Sequence, residues 1–254
     1  MYTLGIDIGG TGCKCVAFSQ LGEQLALCYE EYAVPAGTDN LPPEALWASV
    51  ENVLWDCVKK LPDPEKIGVV TVSSFGESFV AVDAEGKPLD EIRMYFGNSK
   101  SAAFDALVKK VGPEIFMETC RILPDASYSL AKMLYTLEIA PQKVDCFLFI
   151  AGFVCYRLSG VRATDVSLAC RSLLYDVKEG NWSQTLLEAA NISEKQLAKV
   201  ERDIAGLEAQ IAGLDRQSEE FASDYQKLLE IGQARQALEE QLESLYERWE
   251  ALQS

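Results

Sequence analysis

The first place in this sequence where chemistry could be done is an acid followed at once by glycines, Gly5-Ile6-Asp7-Ile8-Gly9-Gly10-Thr11-Gly12-Cys13-Lys14. A glycine-rich turn presents backbone amides with no side chains in the way, and it is free to take left-handed conformations. Such a nest of amides receives a phosphate. Thr11 adds a hydroxyl donor, and Asp7 is placed to hold the water shell of a Mg2+ ion on that phosphate. Lys14 either neutralises further charge or stands as a solvated strand residue. An ordinary hairpin closed by an aspartate is the competing reading of the same residues. The segment is not a Walker A loop, because Lys14 lies between two cysteines rather than after Gly and before Ser or Thr. It is not a dinucleotide fingerprint either, since the residues after the turn read as strand and not helix.

The elements that must position this turn are legible around it. Thr3–Ile8 and Cys13–Ser19 read as strands on either side, and Gln24–Ala33 as a third strand after a turn at Leu21-Gly22-Glu23, so a β-meander opens the fold. Pro43–Leu61 is an amphipathic helix with Leu46, Trp47, Val50, Val53, Leu54 and Val58 on one side. The Val-rich run Ile67–Ser73 reads as a buried strand. Phe79–Val82, a turn at Asp83–Gly86, and Glu91–Tyr95 come next. Helices are expected over Ala102–Val111, Pro113–Cys120, Ser127–Ile139 and Ser183–Ala190. The order implies an α/β fold with a mixed sheet flanked by helices.

Composition excludes several classes. The net charge of −16 opposes binding to nucleic acid or anionic lipid. Histidine is absent, so His triads, His-ligated metals and His bases are excluded, and acid–base chemistry must run on carboxylates. The N-terminus lacks the pattern of a signal peptide, and no stretch has the roughly 20 apolar residues of a membrane span. Eight cysteines with no CxxC pair read as reduced core residues of a cytoplasmic protein.

Near residue 200 the composition breaks. Residues 201–254 lack Pro and Cys and hold 13 acids against 5 bases. Leu197, Val200, Ile204, Leu207, Ile211, Leu214, Ser218 and Phe221 step by three and four, and so do Leu228, Ile231, Arg235, Leu238, Leu242, Leu245, Trp249 and Leu252. Ser223-Asp224-Tyr225-Gln226 reads as a capping box between the two runs. The pattern predicts an antiparallel coiled-coil hairpin of two helices about 37 Å long, with one stuttered helix as the alternative.

Several motifs, in order over about residues 3–200, resemble the FGGY carbohydrate kinases of the actin-like ATPase (ribonuclease H-like) superfamily. The strand–Asp7–glycine turn–strand looks like the first phosphate motif. Ile67–Ser74, Glu77 and Val82-Asp83-Ala84-Glu85-Gly86-Lys87-Pro88-Leu89 look like the substrate strand and its hairpin. Leu123-Pro124, Ser129–Leu134 with Lys132, Arg157–Gly160, Ala163–Ala169, Leu173–Asp176 and Trp182-Ser183 resemble later family elements.

The resemblance implies ATP and Mg2+ as cofactors and a sugar or polyol as substrate. It assigns Gly9, Gly10, Thr11, Gly12 and Lys14 to ATP phosphate and Asp7 to Mg2+ through water. Glu77 is assigned to substrate hydroxyls, since a carboxylate accepts from vicinal hydroxyls; a solvated loop acid is the other reading of Glu77. Tyr95-Phe96-Gly97-Asn98 departs from the family's Trp-Asn/Gln-Asp cluster. The family's catalytic base lies in a Gly-Asp element, and no Gly-Asp pair occurs here. The expected organisation is therefore an incomplete kinase N-terminal domain over 1–195 and a coiled-coil hairpin over 196–254. The tail string Leu245-Tyr246-Glu247-Arg248-Trp249-Glu250 resembles the C-terminal hairpin of ABC-F ATPases. Taken alone, the chain is expected to be incompetent for turnover; the alternative is a non-catalytic scaffold that joins a protein partner or a second copy through the coiled coil.

Overall fold

Alternation in the first strand decides which way the sheet faces. In β1 (Tyr2–Ile8), Leu4, Ile6 and Ile8 are fully buried, while Thr3, Gly5 and Asp7 point to the other face. Each buried side chain contributes about 1.5–3 kcal/mol of apolar burial. That set of residues fixes the register, because a one-residue slip would turn Asp7 into the core. In the computed structural model, residues 1–33, 40–94, 101–140, 143–200, 211, 213–215, 218, 221 and 225–253 are described. The chain divides into two compact units, Met1–Val200 and Glu201–Ser254.

The first unit opens with the meander. β1, β2 (Gly12–Phe18) and β3 (Gln24–Glu31) pair antiparallel, and Asp7 stands directly opposite Lys14. After a short β4 (Asn40–Leu41) comes α1 (Pro43–Lys59), with proline in its first turn, where the missing amide costs nothing. Leu46, Val50, Val53 and Cys57 form its buried face against the sheet. β5 (Ile67–Ser74) then returns parallel to β1, giving the strand order β3-β2-β1-β5.

β5 corrects one expectation. Its valine run predicts burial on both faces, as in the interior of a parallel sheet. Instead it is the last strand of the sheet, and Val69 and Val70 are 40% and 41% exposed.

The second half of this unit builds its own core. β6 (Phe79–Val82) and β7 (Ile92–Arg93) come first, β7 pairing with β4. The strand expected over 91–95 is limited to this pair of residues within the described region. Helices α2 (Ala102–Val111), α3 (Pro113–Cys120) and α4 (Ser129–Ile139) come next, then β8 (Cys146–Phe149), which pairs antiparallel with β6.

β8 runs straight into α5 (Ile150–Ser159), a helix not anticipated from the sequence. Ile150 through Val154 are all buried, so the segment shows no polar face and no period. Gly160, at φ 79°, ends it in a left-handed cap. β9 (Ala163–Thr164), α6 (Val166–Cys170, capped by Asp165), β10 (Tyr175–Asp176), β11 (Asn181–Trp182) and α7 (Gln184–Ala190, capped by Ser183) complete the layer.

The unit ends in β12 (Lys199–Val200), parallel to β9, with Leu197 packed in the second core. Leu197 and Val200 are therefore not the opening positions of a helical seam: tertiary packing of Leu197 and ladder pairing of Val200 override the local spacing.

In the second unit the described residues include α8 (Tyr225–Gln253), of 29 residues. Ile231 is buried, and Leu228, Arg235, Leu238 and Leu242 are half-buried, between exposed neighbours. One stripe of this helix is thus withdrawn from solvent at the expected three- and four-residue steps. The first predicted arm and the capping box lie mostly outside the described residues. Among the described residues no helix is long and apolar enough to cross a membrane.

Candidate functional site

β1 and β5 run parallel, so the segments after them leave the sheet at the same end. In parallel sheets this is the end where ligands bind. After β1 comes the glycine turn, and after β5 comes Phe75-Gly76-Glu77, joined to it by the Phe75 amide donating to the Ile8 carbonyl at 3.1 Å.

The turn is closed by the Gly9 amide donating to the Gly12 carbonyl at 2.9 Å. Tyr32 pins it from behind: its amide donates to the Thr11 carbonyl at 3.0 Å and its hydroxyl to the Gly9 carbonyl at 3.1 Å. Two carbonyls of the turn are thereby occupied. Among the described residues, no acceptor takes the amides of Gly10 and Thr11. Thr11 is exposed.

None of Gly9, Gly10 and Gly12 has positive φ, so left-handed backbone is not what these glycines supply. For Gly9 and Gly12 the reason is steric. A Cβ on Gly12 would meet the Glu30 carbonyl oxygen at 2.5 Å, and one on Gly9 would meet the Gly12 oxygen at 3.1 Å.

Asp7 stands at the root of the turn, half-exposed. Lys14 Nζ lies 2.8 Å from its Oδ2, and the Ser73 hydroxyl donates to Oδ1 at 2.8 Å. The Lys14 ammonium foremost holds the Asp7 carboxyl below its ordinary range; burial opposes it, and the Ser73 hydrogen bond adds to the lowering. Asp7 in turn raises Lys14. Lys14 is thus not merely solvated. The donors gathered here are carboxylate and hydroxyl oxygens, backbone amides and one ammonium. Such a set fits a phosphate and a hydrated hard cation. Among the described residues no group of three or more His, Cys, Asp or Glu is arranged to hold a metal ion.

Glu77 is not a free loop acid. Arg171 Nε donates to its Oε1 at 2.8 Å, and a second guanidinium nitrogen contacts the same oxygen. Oε2 has no partner among the described residues. Arg171 also stacks on Tyr128, 4.9 Å from the ring centre, and packs over Gly76.

Beneath lies Lys132, fully buried in α4, whose ammonium donates to the carbonyls of Ser127 and Tyr128. Burial pushes Lys132 down to about 8, partly offset by the charges of Glu77 and Asp125. Ser73, Tyr32, Arg171 and Lys132 carry no role assigned from sequence. For Lys132 a signal existed, a lone cation between Leu130-Ala131 and Met133-Leu134. The pairing of Glu77 with Arg171 spans 94 positions and has no local signal. Tyr95–Asn98, the segment that departs from the substrate cluster, lies outside the described residues.

Residues 2–241 match the family model described as the FGGY family of carbohydrate kinases, N-terminal domain. The chain belongs to this family. The FGGY match continues past Val200, where the motif-by-motif resemblance ends. Among curated relatives of this FGGY chain, the glycerol kinase of Thermococcus gammatolerans is 26% identical over 210 residues, covering 78% of this chain and 42% of the relative. The glycerol kinase of Limosilactobacillus reuteri is 25% identical over 213 residues, covering 78% and 43%. The chain thus spans about two-fifths of the length of these relatives. Solved structures share the fold, two kinases among them. One is a xylulose kinase from Rhodospirillum rubrum, with TM-score 0.73 and 16% identity, covering 80% of this chain and 43% of that one. The other is a gluconate kinase from Lactobacillus acidophilus, with TM-score 0.71 and 20% identity, covering 80% and 42%.

Proposed function

We propose that this chain provides the phosphate-side and substrate-side walls for ATP-dependent phosphoryl transfer to a hydroxyl of a sugar or polyol. The observation that carries this reading is Asp7 held by Lys14 and Ser73 at the root of a turn whose Gly10 and Thr11 amides have no acceptor among the described residues. The family uses ATP with Mg2+, which supply the transferable phosphoryl group and the charge neutralisation.

Each residue then has its own task. The amides of Gly10 and Thr11, with the Thr11 hydroxyl, donate to phosphate oxygens. Gly9 and Gly12 keep the turn close to β3 so that those amides face outward. Asp7 accepts from the water around the cation, and Lys14 exchanges its carboxylate for phosphate oxygen as anionic charge arrives. Glu77 receives vicinal substrate hydroxyls on Oε2, while Arg171 anchors Oε1. The acceptor hydroxyl must still lose a proton, and the family's Gly-Asp base element does not occur in these residues. We therefore propose that the 254 residues assayed by themselves bind Mg-ATP without turning over.

Calorimetric titration with Mg-ATP, paired with coupled ADP release over pentoses, hexoses and glycerol, tests both parts. Binding without turnover is the expected result. Absence of nucleotide binding overturns the phosphate assignment; robust turnover overturns the incompetence.

A second reading rests on the tail. The Arg235 guanidinium donates to Asp215 at 2.8 Å across 20 positions of chain, as an antiparallel hairpin would allow. This supports the residues past Val200 as a hairpin like that of the ABC-F tail, serving a non-catalytic scaffold or a homo-oligomer. Light scattering of the purified chain discriminates: a monodisperse monomer argues against the oligomer.

A further inference from the structure

Three thiols meet between the sheet and α1. Cys15 and Cys28 stand directly opposite each other across the β2–β3 ladder. Cys57, on the buried face of α1, packs in the same core as both of them, close enough to act electrostatically on each. At the helix's C-terminal end, Lys60 reaches back. Its ammonium donates to Cys28 Sγ at 3.0 Å and to the Leu27 carbonyl at 3.1 Å. We propose that Cys28 is an oxidant-reactive thiol that closes a reversible disulfide onto Cys57.

The three sulfurs are not equivalent. A thiolate is the nucleophile in thiol chemistry, and a neighbouring cation favours it. The Lys60 ammonium is on Cys28. Burial pushes Cys57 and Cys15 up, so both keep their protons.

Access divides them in the same way. Cys28 is 8% exposed beside the exposed Lys60, whereas Cys15 and Cys57 are both 0% exposed. Of the three sulfurs only Cys28 keeps exposed surface, so it is the one a small oxidant meets first. The co-reactant class is a hydroperoxide.

The chemistry balances in two steps. The Cys28 thiolate attacks the distal oxygen of the hydroperoxide; an S–O bond forms, the O–O bond breaks, and the leaving hydroxide or alkoxide takes a proton. The Cys57 thiol then gives up its proton and attacks the Cys28 sulfenic acid; the S–S bond forms and the S–O bond breaks, releasing water. Two thiols have each lost one electron and one proton, and the peroxide has taken both. The product staples the last turn of α1 to β3. Reaction with a dithiol reverses it.

The test uses the purified, fully reduced 254-residue chain with graded hydrogen peroxide at neutral pH. It is quenched by alkylation and followed by intact mass and non-reducing peptide mapping. The expected product has lost two hydrogens, carries a Cys28–Cys57 linked peptide, and returns to the starting mass with dithiothreitol. In Cys57→Ser, dimedone captures the sulfenic acid on Cys28. Lys60→Gln, a surface change checked for folding by circular dichroism, slows Cys28 oxidation by about tenfold, the effect of losing one charge-assisted hydrogen bond. A Cys15–Cys28 link in the parent chain, oxidation confined to the exposed Cys155, absence of a dimedone adduct at Cys28, or an unchanged rate in a folded Lys60→Gln variant would each overturn the proposal.

Discussion

Lys14 Nζ stands 2.8 Å from Asp7 Oδ2, directly across the β1–β2 ladder, while the Ser73 hydroxyl takes the other oxygen from the β5 side. Asp7 is thus clamped between both of its neighbouring strands. Because its folded carboxyl titrates below the unfolded one, the clamp stabilises the fold above the unfolded value near 4, and this stabilisation is lost as pH falls through the folded value. With both side chains about half exposed, its worth is under about 1 kcal/mol. Asp7→Asn should therefore destabilise by that small amount at pH 6 and approach the parent as pH falls through the folded carboxyl's value. Urea unfolding followed from pH 6 into acid checks it; a cost that persists in acid would show that shape and not charge is at stake.

Lys132 gives the opposite sign. Its folded value near 8 lies below the ordinary lysine value of 10.5, so between these two the unfolded chain binds more protons and stability rises with pH. The cost of burying the charge is on the order of 3 kcal/mol, present below pH 8 and relieved by about pH 10.5. In Lys132→Met this slope disappears. Comparing unfolding free energies of parent and variant at pH 7.5 and 9.5 isolates it from the other titrating groups. Parallel pH profiles would mean that the ammonium is better solvated than its burial implies.

The contact between Arg171 and Glu77 uses two guanidinium nitrogens on one oxygen, with the guanidinium stacked on Tyr128. Lysine can reproduce neither the fork nor the stack. A double-mutant cycle with Glu77→Gln and Arg171→Lys should give a coupling of about 1 kcal/mol, set by the partial exposure of the arginine. Near-zero coupling would leave Arg171 as a packing residue alone.

Gly12 is under the tightest steric demand of the turn. Gly12→Ala places a methyl group 2.5 Å from the Glu30 carbonyl oxygen and 3.0 Å from Glu31 Cα. Both are backbone atoms that move only with β3, so the change should cost about 1–3 kcal/mol. Thermal unfolding reads this directly; a melting point equal to the parent's would show that the β2–β3 ladder yields freely.

Local rules made much of this architecture legible. The meander is readable from its turns, with Gly22 indeed at φ 80° between β2 and β3. The core face of α1 is readable from the spacing of Leu46, Val50 and Val53. Features that depend on the identity of a neighbour were not legible. Nothing in Ile67–Ser74 says that the strand ends the sheet, and the valines alone argued the reverse. The first half of α5 was hidden by apolar residues on every side, where periodicity has nothing to report. In the candidate site, Asp7 and the turn were visible as types in sequence. Their partners Ser73 and Tyr32, like the Arg171 that holds Glu77, come from other strands and loops, and only the parallel pairing of β1 with β5 brings Ser73 and Glu77 to the same end of the sheet.

The two hydrogen-bond partners of Asp7 are gathered over unequal lengths of chain. Lys14 arrives with a tight local hairpin, whereas Ser73 must be looped back across 66 positions with α1 already laid down. Closing the longer loop costs more entropy, and non-local pairing is the slower event. A chain caught midway in folding therefore carries the ammonium beside its carboxylate but lacks the hydroxyl, and within this four-stranded sheet the last backbone amides to gain protection from solvent exchange should be those that zip β5 onto β1.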